Sequence, residues 1–458
     1  MYKKEYRPRF VDKMVEDYLE TFGAVVIEGP KWCGKTWTSS MHSRSEFLLG
    51  DPSGNFQNKH LAEISPATVL TGATPRLLDE WQSVPGLWDA VRAEVDTRNA
   101  KGQFILTGSA TPQRKGIMHS GAGRIGRIRM RPMTLFEAGH SSGMFSLQKI
   151  CQGELVPALT GEVELPSLAA LIVRGGWPGN QTSSERNAGL LAKEYIKAVL
   201  ENDIYQIDEV KRDAHKIHLL LRSLARNEST TASNRVLKND IHEIDAENID
   251  DDSITNYLDV CRRLFLTDNL PPFSPETRSS IRIKQSEKRL LADPSLACGL
   301  LALSPQGLIH DLNTFGFLFE AMCLRDLRIY ANSFGAELYH YQDYRDNEID
   351  AVIELPDKSW CAIEIKLGAH QIDSAAQGLL KINKKIEANG GIPASELCVI
   401  CGLSNAAYQR QDGVFVEKLT PQNEQSPAGI ELSRASFCSE TSTLTTSTES
   451  SVIMNLIP

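Results

Sequence analysis

One eight-residue stretch constrains this chain more than any other: Gly29-Pro30-Lys31-Trp32-Cys33-Gly34-Lys35-Thr36. It satisfies the pattern GxxxxGK[ST] in full. It follows an apolar run, AVVIEG (24–29), that reads as a strand, and it opens a segment that reads as a helix. Gly29 and Gly34 permit backbone conformations that other residues resist. Successive N–H groups and the helix N-terminus can then surround an anion. In such a loop Lys35 reaches the β- and γ-phosphates of a nucleotide, and the Thr36 hydroxyl ligates Mg²⁺. A pattern this short also arises as a plain Gly-rich turn, so the neighbouring strands must carry the rest of the reading.

Four further runs in the first third read as strands: SEFLLGD (45–51), PRLLDEW (75–81), QFILTGSA (103–110) and RIRMRPM (127–133). Their spacing leaves room for crossover helices, which predicts a parallel sheet. Ligands in such sheets bind at the strand C-termini. Asp79 and Glu80 fall at one of these ends, where the first acid can hold Mg²⁺ and the second can orient or deprotonate an attacking water. Thr107 and Ser109 fall at another and could touch a γ-phosphate or that water. Arg124 and Arg127, in SGAGRIGRIRMRP, are candidates for stabilising charge in phosphoryl transfer, in cis or in trans; the alternative is a pair of surface arginines beside a strand. These features together predict an ATP-binding α/β domain. Cys33, beside a helix N-terminus, is either a reactive thiol that ATP protects or a small filler beneath the loop.

The remaining chain divides by pattern. Residues 1–150 form the nucleotide domain, 151–215 a helical lid-like segment, and 216–310 a winged-helix-like unit with a connector. A second α/β unit spans 311–420, and a Ser/Thr-rich tail over 421–458 is expected to be disordered. Lys plus Arg number 49 and Asp plus Glu 58, a net charge of −9 that excludes an overall basic nucleic-acid coater but leaves room for a local groove. No apolar run is long enough to span a bilayer, and the first twenty residues lack the apolar core of a secretory signal. Nine scattered cysteines fit a reducing compartment, so a cytoplasmic protein with no membrane partner is expected. Cys398 and Cys401 form a CxxC, but the flanking ELCVICGL reads as a buried strand and no second pair completes a metal site.

In NEIDAVIELPDKSWCAIEIKLG, Asp350 lies on one expected strand and Glu364 and Lys366 on the next. Period two sets Glu364 and Lys366 on one face, and a hairpin around PDK brings Asp350 to them. Two carboxylates could hold Mg²⁺ while the lysine polarises phosphate or water. Glu320, on the preceding helix, could add a further acid. The bland alternative is a solvated acid pair with a salt-bridged lysine. Arg325, Arg328, Lys381, Lys384 and Lys385 are candidate charges for a groove beside this site.

With these residues in view, positions 10–420 resemble the bacterial and archaeal AAA-type ATPases that carry a C-terminal domain of PD-(D/E)xK nuclease-like fold. The resemblance rests on GPKWCGKT, LLDEWQSVP, ILTGSA, the turn at Gly123 and Arg124, and GGWPG around Gly175 and Gly176; downstream it rests on YIKAVLENDIYQID, LADPSLA, GFLFE, EIDAVIE and IEIKLG. It implies ATP at Gly29–Thr36, Mg²⁺ with Thr36 and Asp79, a winged-helix segment and a nuclease-like end. One departure is that residues 235–252 carry seven acidic and two basic residues, which puts DNA contact through that face in doubt and gives protein docking at least equal standing. The expected function is an ATPase coupled to a nuclease-like or recognition module that meets nucleic acid or a protein, with oligomerisation allowed. The competing readings are a nucleotide-controlled switch whose C-terminal domain only binds a partner, and a working Mg²⁺-dependent nuclease.

Overall fold

The computed structural model describes residues 6–111, 117–207, 210, 212–245, 249–276, 285–343, 345 and 347–418. The tail over 421–458 and part of the acidic stretch 235–252 lie outside them.

The first sheet contains β1 (Ala24–Glu28), β2 (Ser45–Leu48), β3 (Arg76–Asp79), β4 (Phe104–Gly108) and β5 (Ile125–Arg129). The order is β2-β3-β4-β1-β5, and every pairing is parallel. Alternation along β1 explains why both faces are covered. Ala24 and Val26 join a cluster with Trp81, Trp88 and Val91, while Val25 and Ile27 join Val15, Cys33 and Ile128. The fifth strand starts two residues earlier than the apolar run RIRMRPM suggests. Ile125, Gly126 and Ile128 are its buried residues, and Met130 leaves the sheet to sit beneath the phosphate loop.

The middle of the chain is helical. Helices Leu165–Arg174 and Leu190–Ala198 lead into one π-helical turn, Val199–Asp203. Helices Ala214–Arg226, Asn234–Asp245 and Asp251–Arg263 follow. Short antiparallel bridges then join Thr230 to Arg289, Thr267 to Leu291 and Leu270 to Lys288.

The second sheet is assembled around the helix Leu312–Ser333, which buries thirteen residues, charged ones among them. Its strands are β6 (Ala158–Leu159), β7 (Glu337–Gln342), β8 (Glu348–Glu354), β9 (Trp360–Lys366), β10 (Glu396–Cys401), β11 (Ala406–Gln409) and β12 (Phe415–Glu417). The order is β6-β11-β12-β10-β9-β8-β7. Strands β7, β8 and β9 form an antiparallel meander, and β10 runs parallel to β9 after the crossover helix Ile372–Ala388. Cys398 and Cys401 are both buried on β10, as core packing requires. Among the described residues, no helix is long and apolar enough to cross a membrane.

Candidate functional site

The loop after β1 is shaped by two glycines. Gly34 has φ +105°, a left-handed value that only glycine adopts without strain. A Cβ on Gly29 would lie 2.1 Å from the Met130 carbonyl oxygen, so the chain can pass there only without a side chain. Arg9 braces the loop from below: its guanidinium donates to the Cys33 carbonyl at 2.9 Å and pairs with Glu137 at 3.1 Å. Lys35 folds back over the loop and donates to the carbonyls of Gly29 (3.0 Å) and Pro30 (2.8 Å). Both bonds can be exchanged for phosphate oxygens.

The acids expected at the strand ends meet this loop. Thr36 Oγ1 donates to Asp79 Oδ1 at 2.9 Å, and Thr107 Oγ1 donates to the same oxygen at 2.6 Å. Burial pushes the Asp79 carboxyl up, opposed by those two hydroxyls and Lys35. The Glu80 backbone turns left-handed (φ 60°), and its N–H donates to Thr107 Oγ1 at 3.0 Å. That turn points the Glu80 carboxylate toward Ser109, whose hydroxyl donates to it at 2.9 Å, while Gln82 donates to the same oxygen. Lys35, Thr36, Asp79, Glu80 and Ser109 all line one cavity of about 1320 Å³. A hydroxyl and a carboxylate in contact are the hard oxygen donors that Mg²⁺ takes, so Thr36 and Asp79 fit that ion.

Three sequence expectations change here. Thr107 is fully buried and orients the two acids, so it does not line the cavity, whereas Ser109 does. Cys33 is fully buried among Val15, Val25 and Ile27, which makes it the filler beneath the loop and not an accessible thiol. Arg124 precedes β5, so it sits at the N-terminal edge of a parallel sheet whose loop lies at the C-terminal edge. There it pairs with Asp96 at 2.9 Å, and it does not reach the loop of its own chain. Arg127 projects from mid-strand, pairs with Glu28 at 2.7 Å and lies over Trp88.

Two contacts that no motif announced tie the loop to the middle of the chain. Lys31 Nζ pairs with Asp203 at 2.6 Å, at the end of the π-helical turn. Trp32, with φ +64°, stands edge-on to Tyr195 at 5.9 Å between ring centroids.

The second constellation also converges. Pairing of Ala351 with Ile363 sets Asp350 beside Glu364. Lys366 Nζ lies 3.1 Å from Asp350 and 2.6 Å from Glu364, and the Ile365 N–H donates to Asp350 at 2.8 Å. Glu320 arrives from the helix beneath, but the cation it meets is Lys288, 2.7 Å away. Burial alone would lower the Lys288 ammonium, yet Glu320, Asp350 and Glu348 outweigh it and hold it above the ordinary lysine value. Burial and the neighbouring Asp350 push the Glu364 carboxyl up, against Lys366. Among the described residues, no group of three or more His, Cys, Asp or Glu is arranged to hold a metal ion. With Lys288 seated there, these carboxylates do not fit the divalent ion expected for a nuclease. The expected groove arginines are also engaged: Arg325 is buried against Asp293 and Asp326, and Arg328 against Asp268. Lys385 pairs with Asp343, whereas Lys381 and Lys384 are exposed.

The loop, the paired acids and the sheet order are those of a P-loop domain, and residues 21–138 match the family model described as AAA domain. Residues 165–307 and 315–420 match two models described as domains of unknown function, DUF8612 and DUF4143. The chain is similar to the uncharacterized protein Rv2008c of Mycobacterium tuberculosis, 23% identical over 346 residues, covering 75% of this chain and 70% of that one. Mb2031c of Mycobacterium bovis, also uncharacterized, matches to the same extent, 23% over 346 residues. Among solved structures, the Walker-type ATPase PABY2304 of Pyrococcus abyssi aligns with 14% identity, 65% of this chain, 97% of that chain and a TM-score of 0.40. Cdc6p from Pyrobaculum aerophilum aligns with 12% identity, 68% and 98% coverage and a TM-score of 0.20.

Proposed function

We propose that this chain hydrolyses ATP and uses nucleotide occupancy to reposition its middle and C-terminal units. The observation that carries the reading is the convergence of Thr36, Asp79, Glu80 and Ser109 on the mouth of the phosphate loop, each held by a named hydrogen bond. Lys35 would leave the Gly29 and Pro30 carbonyls to neutralise phosphate oxygens. Glu80, held by Ser109 and Gln82, would accept the proton of the attacking water. Mg²⁺ at Thr36 and Asp79, when bound, supplies charge stabilisation at the β- and γ-phosphates. Lys31–Asp203 and Trp32–Tyr195 give the loop a direct mechanical link to the middle unit.

The test uses two variants. Lys35→Ala should lose tight ATP binding, and Glu80→Gln should bind ATP but stop turnover. Unchanged ATP affinity in Lys35→Ala, measured by titration calorimetry, would remove the site.

The C-terminal unit is read as a restriction-endonuclease-like fold. The support is its helix, antiparallel three-strand meander, crossover helix and parallel strand, with Asp350, Glu364 and Lys366 on adjacent strands. The three middle helices with their short bridges support the winged-helix reading, with nucleic acid or a protein as partner. A second reading, a nucleotide-controlled switch whose C-terminal unit only binds, is favoured by the ion pairs that occupy the carboxylate cluster. Turnover separates the two. A switch hydrolyses slowly whatever is added, whereas a coupled ATPase is stimulated by its nucleic-acid or protein partner.

A further inference from the structure

A second cavity, of about 80 Å³, is lined by other residues than those around the phosphate loop. Aromatic rings wall it. Phe10 and Phe136 come from the first α/β unit, and Tyr330 and Phe334 from the C-terminal end of the helix Leu312–Ser333. Phe10 stands edge-on to Tyr330 at 5.2 Å and lies 5.7 Å from Phe136 between ring centroids. Leu327 and Ile400 add aliphatic surface from the same helix and from β10. The cavity therefore lies where the first unit meets the second sheet and its helix.

One acid joins this apolar lining. Glu417 pairs in register with Ile400 and follows Phe415 by two positions on β12. It therefore shares the sheet face on which Phe415, Ile400 and Leu327 pack together. It lines the cavity and is half-buried. Among the described residues, no hydrogen bond and no cation reaches its carboxylate, and burial pushes the carboxyl up to about 8. Its neighbour Lys418 does not supply the missing charge, because Lys418 Nζ donates to the Gly161 carbonyl at 2.5 Å instead. Asp268 and Asp326, by contrast, are each paired with arginine. A carboxylate drawn out of water without a partner is costly, so a cation supplied from outside would be held there.

We infer that this cavity is a binding site for a short primary alkylammonium ion, with Glu417 as its counter-charge and the Phe10, Phe136, Tyr330 and Phe334 rings as its walls. The ammonium would donate charge-assisted hydrogen bonds to the carboxylate. Aromatic faces attract the same charge, and the alkyl tail would cover apolar wall. One water needs roughly 10–15 Å³ of such space, so the volume admits a ligand of about five non-hydrogen atoms. The inference is independent of the ATPase reading, because the two cavities share no lining residue.

The experiment titrates n-butylammonium chloride into the full chain and follows saturation-transfer NMR signals, with ionic strength matched by sodium chloride. It is run at about pH 8.5, above the Glu417 value and below the ordinary alkylamine value of about 10.4. Wild type, Glu417→Gln and Glu387→Gln are compared, each checked for folding by circular dichroism. Glu387→Gln removes the same charge from an exposed position on the helix Ile372–Ala388. Wild type and Glu387→Gln should show one saturable site of equal affinity. Glu417→Gln, which keeps the shape and loses the charge, should bind about 10–100-fold more weakly. 1-Butanol, equal in size and uncharged, should bind wild type at least about tenfold more weakly than n-butylammonium does. Absence of saturable n-butylammonium binding by wild type would overturn the inference, and so would a Glu417→Gln affinity within about threefold of wild type. Equal binding of 1-butanol would also overturn it. If Glu417→Gln fails to fold, the comparison of the amine with 1-butanol on wild type still decides it.

Discussion

Replacing Gly29 by Ala tests the loop geometry with one methyl group. The added carbon would lie 2.1 Å from the Met130 carbonyl oxygen, 3.1 Å from its carbonyl carbon and 3.4 Å from Cys33 Sγ. Ordinary carbon–oxygen contact begins at about 3.3 Å, so backbone must separate by about 1 Å. Neither side yields freely. The Gly29 N–H is bonded to Gly108 at 3.2 Å, and the Met130 N–H is bonded to Glu28 at 2.7 Å. Forcing a methyl into a packed site costs about 1–3 kcal/mol. A displacement of about 1 Å in positioning groups commonly costs on the order of a hundredfold in rate. Gly29→Ala should therefore melt earlier and bind a fluorescent ATP analogue about 10–100-fold more weakly, or about 1.4–2.8 kcal/mol. Gly86→Ala is the control, because its Cβ would meet nothing within 4 Å and its φ is −61°. An affinity for Gly29→Ala within threefold of wild type would refute the claim that this close approach shapes the nucleotide site.

Two further outcomes follow from buried polar groups. Thr107→Val removes the hydroxyl that Asp79 and the Glu80 N–H share, leaving Asp79 its Thr36 bond but the Glu80 N–H without this partner at about 1–3 kcal/mol; amide hydrogen exchange at Glu80 should accelerate and Mg²⁺-dependent ATP turnover should fall, and unchanged exchange would dismiss the bond. His340 is buried beside Lys288 with its imidazole lowered from 6.5 to about 4, chiefly by burial. Its stabilising contribution is complete above pH 6.5 and is lost as pH falls toward 4, because the unfolded chain takes up a proton that the folded chain refuses. That loss reaches about 2 kcal/mol by pH 5. Urea midpoints at pH 7 and pH 5 should therefore differ more for wild type than for His340→Gln, and equal differences would count against a buried neutral imidazole.

The candidate site after β1 was legible because its parts recur at fixed places on a periodic scaffold. A motif between strand and helix locates the loop, and apolar runs ending in Asp79 and Ser109 locate the groups around it. The position of Arg124 relative to the loop of its own chain was legible on the same logic. A residue that precedes a strand in a parallel sheet lies at the edge opposite to residues that follow their strands. Arg325 and Arg328 misled for another reason. Their helix, Leu312–Ser333, is covered by other elements on most sides, so its charges are spent on buried partners. Lys288 was not legible at all. In KQSEKRLLADP it sits between Glu287 and Arg289 and reads as one surface charge among several. Only the bridge to Leu270 and the docking on β7 turn its side chain inward.

The ion pairs joining the units also differ in how far water can reach them. Asp293 accepts from Arg325 at 2.7 Å and from the Gly176 N–H at 2.9 Å, while Asp326 accepts from the Leu135 N–H at 2.8 Å. All three charged groups are buried, and separating such a pair leaves charge uncompensated at about 3–5 kcal/mol. Asp268 similarly gathers Arg131 at 2.6 Å and Arg328 at 2.9 Å, which hold its carboxyl well below the usual range against the cost of burial. These hubs fix the three units as one frame. Lys31–Asp203 is mixed: the Lys31 side chain is 44% exposed, whereas that of Asp203 is 8% exposed. A carboxylate left buried without its cation is disfavoured, so this pair also ties the loop to the π-helical turn that carries Asp203.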